Sequence, residues 1–215
     1  MDIKLHYFSG RGIGEPIRLT LAIAKIAFQD NRYSTSDPSW RHALESDLPF
    51  GQLPALEVDG VFVAQADSCA RLAARLANLY PEDPVTAAES DMVVVHQAEI
   101  QKAIARLSYD GVPGAEGTTM VPEKERNILI GEWLDTFLPP LAQRLECRCG
   151  APFIVGERLT WADINVFVRL TQLLDIRPSI LDGEYPKLKS LEEYVRTLPT
   201  VAKWIKAHPE DYPRA

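Results

Sequence analysis

Leu48-Pro49-Phe50-Gly51-Gln52-Leu53-Pro54-Ala55-Leu56-Glu57-Val58-Asp59-Gly60 reads as a turn, a proline-led strand and a hairpin turn in direct succession. Pro49 and Gly51 supply the first turn, Ala55–Val58 the strand, and Asp59-Gly60 a strong two-residue hairpin signal. Proline has no N–H for a sheet ladder, so Pro54 belongs at the first residue of its strand. The N–H and C=O of Leu53 are then left for an extended peptide to pair with in strand-like fashion. Taken alone, the stretch fits equally a hairpin whose proline has no further role.

Outward from this stretch, Ile3, Leu5 and Tyr7 alternate with Lys4, His6 and Phe8 as in a half-buried strand. The loop Ser9-Gly10-Arg11-Gly12-Ile13-Gly14 follows, and Glu15-Pro16 opens a helix with Ile17, Leu21 and Ala24 on its apolar face. Glu15 and Arg18, three apart, read as an ordinary surface pair. A strand near Asn31–Thr35, a short helix started by Asp37-Pro38, and the hairpin over residues 55–64 come next. Asp67 is then the expected N-cap of a helix carrying Leu72, Leu76 and Leu79. The order βαβ then ββα predicts an α/β N-terminal domain of thioredoxin-like form over residues 1–79.

Tyr80-Pro81-Glu82-Asp83-Pro84 breaks the pattern, and residues 80–88 read as a linker. Beyond it, residues 89–215 predict an all-α helical-bundle domain. Val93, Gln97, Ile100, Ile104 and Leu107 recur at three and four, as do Ile130, Trp133, Phe137, Leu141 and Leu145. Trp161 and Trp204 are core on the same grounds. Thr160 stands three residues before Asp163, the spacing at which hydroxyl and carboxylate cap a helix start reciprocally.

The 215 residues are enough to bury roughly 70% of the unfolded chain's surface. A hydrophobic share of 46% beside 25% charged is globular composition, and a net charge of −7 argues against nucleic acid or an anionic membrane as partner. No apolar run suits a signal peptide or a bilayer span, and a cytoplasmic protein is expected. Cys69, Cys147 and Cys149 form no metal-ligand pattern, so Cys69 reads as core packing and the other two as helix-end residues.

With Tyr7 ending the first strand and Gln65 ending the fourth, residues 48–65 resemble the glutathione site of the cytosolic glutathione transferases. The likeness is to their tyrosine-type, sigma- and mu-like members; it covers nearly the whole chain and is strongest at residues 3–18, 48–65 and 156–166. The resemblance implies glutathione as co-substrate, a small hydrophobic electrophile as second substrate, no metal, and a homodimer. In that dimer the thioredoxin-like domain of one subunit meets the helical domain of the other. Tyr7 is the implied catalytic residue. Only the thiolate of glutathione attacks electrophiles well, and a phenolic O–H aimed at sulfur favours the charged form. A tyrosine in this place could also simply cover the sheet edge, and Ser9 competes because some branches use a serine of this loop.

The remaining roles follow from the same resemblance. Leu53 before Pro54 matches the backbone clamp on the cysteinyl unit; Trp40 and Gln52 match donors to the glycine carboxylate; Gln65 matches the γ-glutamyl anchor. Trp40 also fits a packed aromatic beside the short helix. Ile13 lends its N–H to sulfur and its side chain, with Phe8, to the electrophile pocket. Arg11 reads equally as a structural charge. Ala66 departs from the family, which has Ser or Thr there; the lost hydroxyl costs roughly 1–2 kcal/mol of glutathione affinity. Glu99 matches the acidic residue that reaches the neighbouring subunit's glutathione amine, and Tyr109 the tyrosine that contacts the electrophile. Both also suit a solvated helix face. Ile104, Ala105, Arg106 and Ser108 complete the second-substrate pocket. Two alternatives stay open: a ligand-binding protein of this fold, favoured by Ala66, and a glutathione-dependent isomerase or peroxidase.

Overall fold

In the computed structural model, which describes residues 1–37, 39–44, 46–108, 135 and 138–213, strand β1 (Ile3–Phe8) lies at the centre of the N-terminal half. It pairs in parallel with β2 (Gln29–Tyr33), Leu5 opposite Asp30, and antiparallel with β3 (Ala55–Val58), Leu5 opposite Leu56. β4 (Val61–Ala64) closes the sheet order β2-β1-β3-β4. Val58 faces Val61 across the β3–β4 turn, and Asp59 and Gly60 both take positive φ, as a twist-matched two-residue hairpin requires.

Alternation along β1 sends Ile3, Leu5 and Tyr7 into a core with Ile17 and Leu21 of α1 (Glu15–Ile23) and Cys69 and Ala73 of α3 (Ala66–Leu76). Lys4, His6 and Phe8 point to the other face, where Phe8 meets Trp40 of α2 (Ser39–Leu44). There Glu57 accepts from Lys4 Nζ at 2.8 Å, and His6 Nδ1 lies 2.8 Å from the Tyr33 hydroxyl. α3 starts two residues earlier than expected, so its N-cap is Gln65 and Asp67 sits in the first turn.

α4 (Pro84–Ser108) opens inside the stretch read as linker, at a proline tolerated in the first turn. Asp83 caps it, accepting from the Thr86 N–H at 2.8 Å. α5 (Leu138–Arg148), α6 (Trp161–Ile176), α7 (Pro186–Thr197) and α8 (Pro199–Ala207) follow. The helical half after an α/β half agrees with the expected fold class. α6 is buried along most of its length and packs on α1, α4 and α7. Its start carries the expected box: the Thr160 N–H and hydroxyl donate to Asp163 Oδ2 at 2.7 and 2.9 Å, and the Ile154 N–H donates to Oδ1 at 2.7 Å. Of the expected core positions, Ile130, Trp133 and Phe137 lie outside the described residues. No described helix is long and apolar enough to cross a membrane.

Candidate functional site

Tyr7 ends β1 with its ring buried. The β1–α1 loop is laid directly against that ring. A Cβ on Gly14 would stand 2.3 Å from Tyr7 Cδ1, and one on Gly12 2.3 Å from the hydroxyl oxygen, so glycine is required at both by close approach. The Ile13 N–H donates to the Tyr7 hydroxyl at 3.1 Å. A phenolic oxygen can accept one hydrogen bond and donate another, the pairing a thiolate partner needs.

Glu15 and Arg18 hold this loop, and they are not the surface pair expected from their spacing. Both are fully buried, because α1 is covered by the sheet and by α3, α6 and α8 together. Arg18 donates to the carbonyls of Gly10 at 2.7 Å and Phe8 at 3.0 Å and to Asp30 at 2.9 Å; its guanidinium lies 5.5 Å from the Tyr7 ring centroid. Burial pushes the Glu15 carboxyl above its ordinary range, opposed by Arg18 and by hydrogen bonds from Tyr212 and Trp204. The signal was in the sequence: Ile17, Leu19 and Leu21 spread around α1 rather than along one stripe, the mark of a helix buried on several sides.

Two further arginines tie the loop to the helical half. Arg11 donates to Thr171 Oγ1 at 3.1 Å and to Asp175, so its structural reading holds. Arg169 of α6 donates to the Gly12 carbonyl at 3.3 Å and to Gln97 of α4 at 2.9 Å. Sequence reading passed over Arg169, Gly12 and Gly14 as site residues. Nothing in their local pattern marks them, because their partners stand far along the chain.

Leu53 and Phe8 pack against both the main core and a smaller cluster of Trp40, Leu48 and Ala55, which brings these residues to one end of the sheet. The Leu53–Pro54 peptide is cis. Trp40 is buried and meets Phe8 edge-on at 5.4 Å and Tyr33 at 6.3 Å between centroids, so it is at least a packed aromatic. Gln52 is exposed beside Leu53. Gln65 is exposed at φ 73°, ψ 124°, a conformation rare for a side-chain-bearing residue and costing about 1–3 kcal/mol; such strain collects at binding sites. Ala66 is half-buried as the first residue of α3, where helix N–H groups lack intrahelical partners and suit a carboxylate.

Glu99 is exposed on α4, on the same face as the exposed Met92 and Val95. Ile104, Ala105, Arg106 and Ser108 belong to the last turns of α4, but their side chains, like all of Tyr109, lie outside the described residues. Burial pushes the Cys69 thiol up to about 12, and its Sγ donates to the Val63 carbonyl at 3.0 Å, which leaves no nucleophile there. Cys147 is exposed and Cys149 buried at the end of α5. Among the described residues no group of His, Cys, Asp and Glu is placed to hold a metal.

Comparison with known proteins agrees with this architecture. Residues 3–70 match the family model of the glutathione S-transferase N-terminal domain, and residues 115–208 that of the C-terminal domain. Glutathione S-transferase 1 of Ascaris suum is 31% identical over 214 residues, 96% of this chain and 97% of its own. Hematopoietic prostaglandin D synthase of Gallus gallus is 34% identical over 210 residues, covering 97% and 98%. Among solved structures, the monomeric Na-GST-3, a glutathione S-transferase of the hookworm Necator americanus, superposes with a TM-score of 0.80 at 28% identity, covering 97% and 98%.

Proposed function

The chain belongs to the glutathione S-transferase family, a family of transferases, and from that membership we propose that it activates glutathione through Tyr7 and conjugates it to small hydrophobic electrophiles. The observation that carries this reading is the Tyr7 hydroxyl, held at the strand end by the Ile13 N–H at 3.1 Å with two glycines pressed on its ring. Lowering the thiol pKa by about two units takes roughly 2.7 kcal/mol. One charge-assisted hydrogen bond with nearby backbone dipoles is of that order. The thiolate then forms the S–C bond while the leaving group departs with its electron pair, or the adduct takes up a proton.

In this reading the chain is a tyrosine-type member with sigma- and mu-like features and is cytoplasmic. Residues 1–79 hold glutathione, 80–88 link, and 89–215 supply the electrophile side. Leu53 clamps the cysteinyl backbone; Trp40 and Gln52 serve the glycine carboxylate; Gln65 and the Ala66 N–H serve the γ-glutamyl end. Phe8 and Ile13, with Ile104, Ala105, Ser108 and Tyr109, line the second site. The protein pairs as a homodimer, and Glu99 reaches the partner's glutathione. The likeness to a prostaglandin D synthase favours one second reading, a glutathione-dependent isomerase using the same thiolate.

Glutathione titrated into wild type and Tyr7→Phe, with thiolate absorbance followed from about pH 5 to about pH 9, tests the activation step. Thiolate well below pH ~8 in wild type and its loss in Tyr7→Phe is the expected result. A substrate panel then separates transferase from isomerase. No saturable thiolate signal at millimolar glutathione sinks the proposal and leaves a binding protein.

A further inference from the structure

We propose that the C-terminal segment from Trp204 to Tyr212 is a positioning part of the Tyr7 site, acting through the buried carboxylate of Glu15. The inference rests on the Tyr7 reading above and adds residues that lie far from the thiol.

Glu15 accepts from the Trp204 indole N–H at 2.8 Å and from the Tyr212 hydroxyl at 2.8 Å, both on Oε1, and from Arg18 Nη1 at 3.3 Å on Oε2. Two of its three donors therefore come from the last helix and the segment after it. A carboxylate with no solvent exposure depends on such donors to remain charged. Its charge in turn orients Arg18, whose other N–H groups grip the carbonyls of Phe8 and Gly10 on either side of Ser9. That grip fixes where the loop starts, and the loop carries Ile13 to the Tyr7 hydroxyl and Gly12 and Gly14 to the Tyr7 ring.

A second line of contact runs parallel to the first. Asp211 accepts from Arg32 at 2.7 Å, and Arg32 donates to Asp30, the carboxylate that also holds Arg18. The Tyr212 ring lies under the Arg11 guanidinium, 5.0 Å from its centroid, so the segment touches the loop on its far side as well. The charged or titratable groups at Glu15 are Arg18, Tyr212 and Asp211. Trp204 and Tyr212 both donate to Glu15, so they are positioning residues, with Glu15 as the relay.

The test uses the full chain with glutathione as probe and reads the midpoint of thiolate formation beside the dissociation constant. Tyr212→Phe removes one hydroxyl and keeps the buried ring; Trp204→Phe removes the indole donor from the same oxygen and gives a second probe should the first fail to fold. Either variant should move the midpoint up by about one pH unit, about tenfold less thiolate at a fixed pH below it, with affinity for glutathione changed less than about twofold. In a Glu15→Gln background Tyr212→Phe should add no further shift, since the relay is already broken. A merely structural role would lower the melting temperature and leave the midpoint in place. An unmoved midpoint in a folded variant, or a full shift in the Glu15→Gln background, overturns the inference. A wild type without Tyr7-dependent thiolate removes the functional reading and this inference with it; a Tyr7-dependent thiolate indifferent to both substitutions removes the inference alone.

Discussion

In the proposed site, Ala66 puts a methyl group at the helix N-terminus where the family resemblance implies a hydroxyl, so the γ-glutamyl end would keep the N–H and lose one hydrogen bond. Ala66→Ser restores that bond on a backbone already in place, as the half-buried first residue of α3. It should tighten glutathione about tenfold, since the lost hydroxyl costs roughly 1–2 kcal/mol. Calorimetric titration of both proteins reads the difference. Unchanged or weaker binding in the variant would mean that the γ-glutamyl carboxylate does not sit on this helix end. Places in the fold were legible where the local pattern carries them: Tyr7 at the end of β1 by alternation, Pro54 immediately before β3 by its missing N–H. Glu15 and Arg18 were read as a surface pair because two opposite charges three apart on a helix are the commonest surface pattern, although Ile17, Leu19 and Leu21 around α1 signalled burial. Only the contacts of Trp204 and Tyr212, some two hundred positions away in the chain, make them a buried relay.

At the scale of the element, the start of α6 depends on one carboxylate. Burial pushes Asp163 up to about 6, with the Ile154 and Thr160 hydrogen bonds pulling the other way. Its unfolded value is about 3.9, so between those values the folded chain keeps a proton that the unfolded chain has released. This group's contribution to stability is therefore fully present below about pH 3.9 and is lost as pH rises through about 6. Asp163→Asn has nothing to titrate there. The stability advantage of wild type over this variant should shrink by about 2 kcal/mol between about pH 4 and about pH 7. Urea unfolding at each pH measures it; a constant difference would show that the carboxyl does not titrate in that window. The capping box and the Asp59-Gly60 hairpin could be read ahead of the structure because turns and caps are local chemistry. The onset of α4 could not, since Pro84 suits a broken chain and a first helical turn equally well.

At the scale of the whole molecule, the surface left uncovered has a consistent shape. Phe50 projects from the turn before β3 with 66% of its surface exposed, and Met92 and Val95 stand 47% and 60% exposed on α4. Between α4 and α5 lies a groove of about 420 Å³ lined by Met92, Val93, His96, Leu145 and Cys147 among others. An apolar projection on one half and an apolar groove on the other are complementary between two copies related by a twofold axis. If the chain pairs as proposed above, Phe50 of each protomer is expected to seat in the other's groove. A partner covering Met92 and Val95 also runs along Glu99, one turn further on the same face. Nothing in the linear sequence marked Phe50, because complementarity exists only once both halves are folded. One structural relative is a monomer, so the fold alone does not impose pairing. Burying a Phe side chain stabilises by about 1.5–3 kcal/mol, and a twofold interface counts each substitution twice. Phe50→Ala should therefore raise the dimer dissociation constant by about 10²- to 10⁴-fold. Sedimentation equilibrium across a dilution series decides it: an unaltered dimer in Phe50→Ala would place the twofold contact elsewhere, and a wild type monomeric throughout would leave Glu99 without a partner's glutathione to reach.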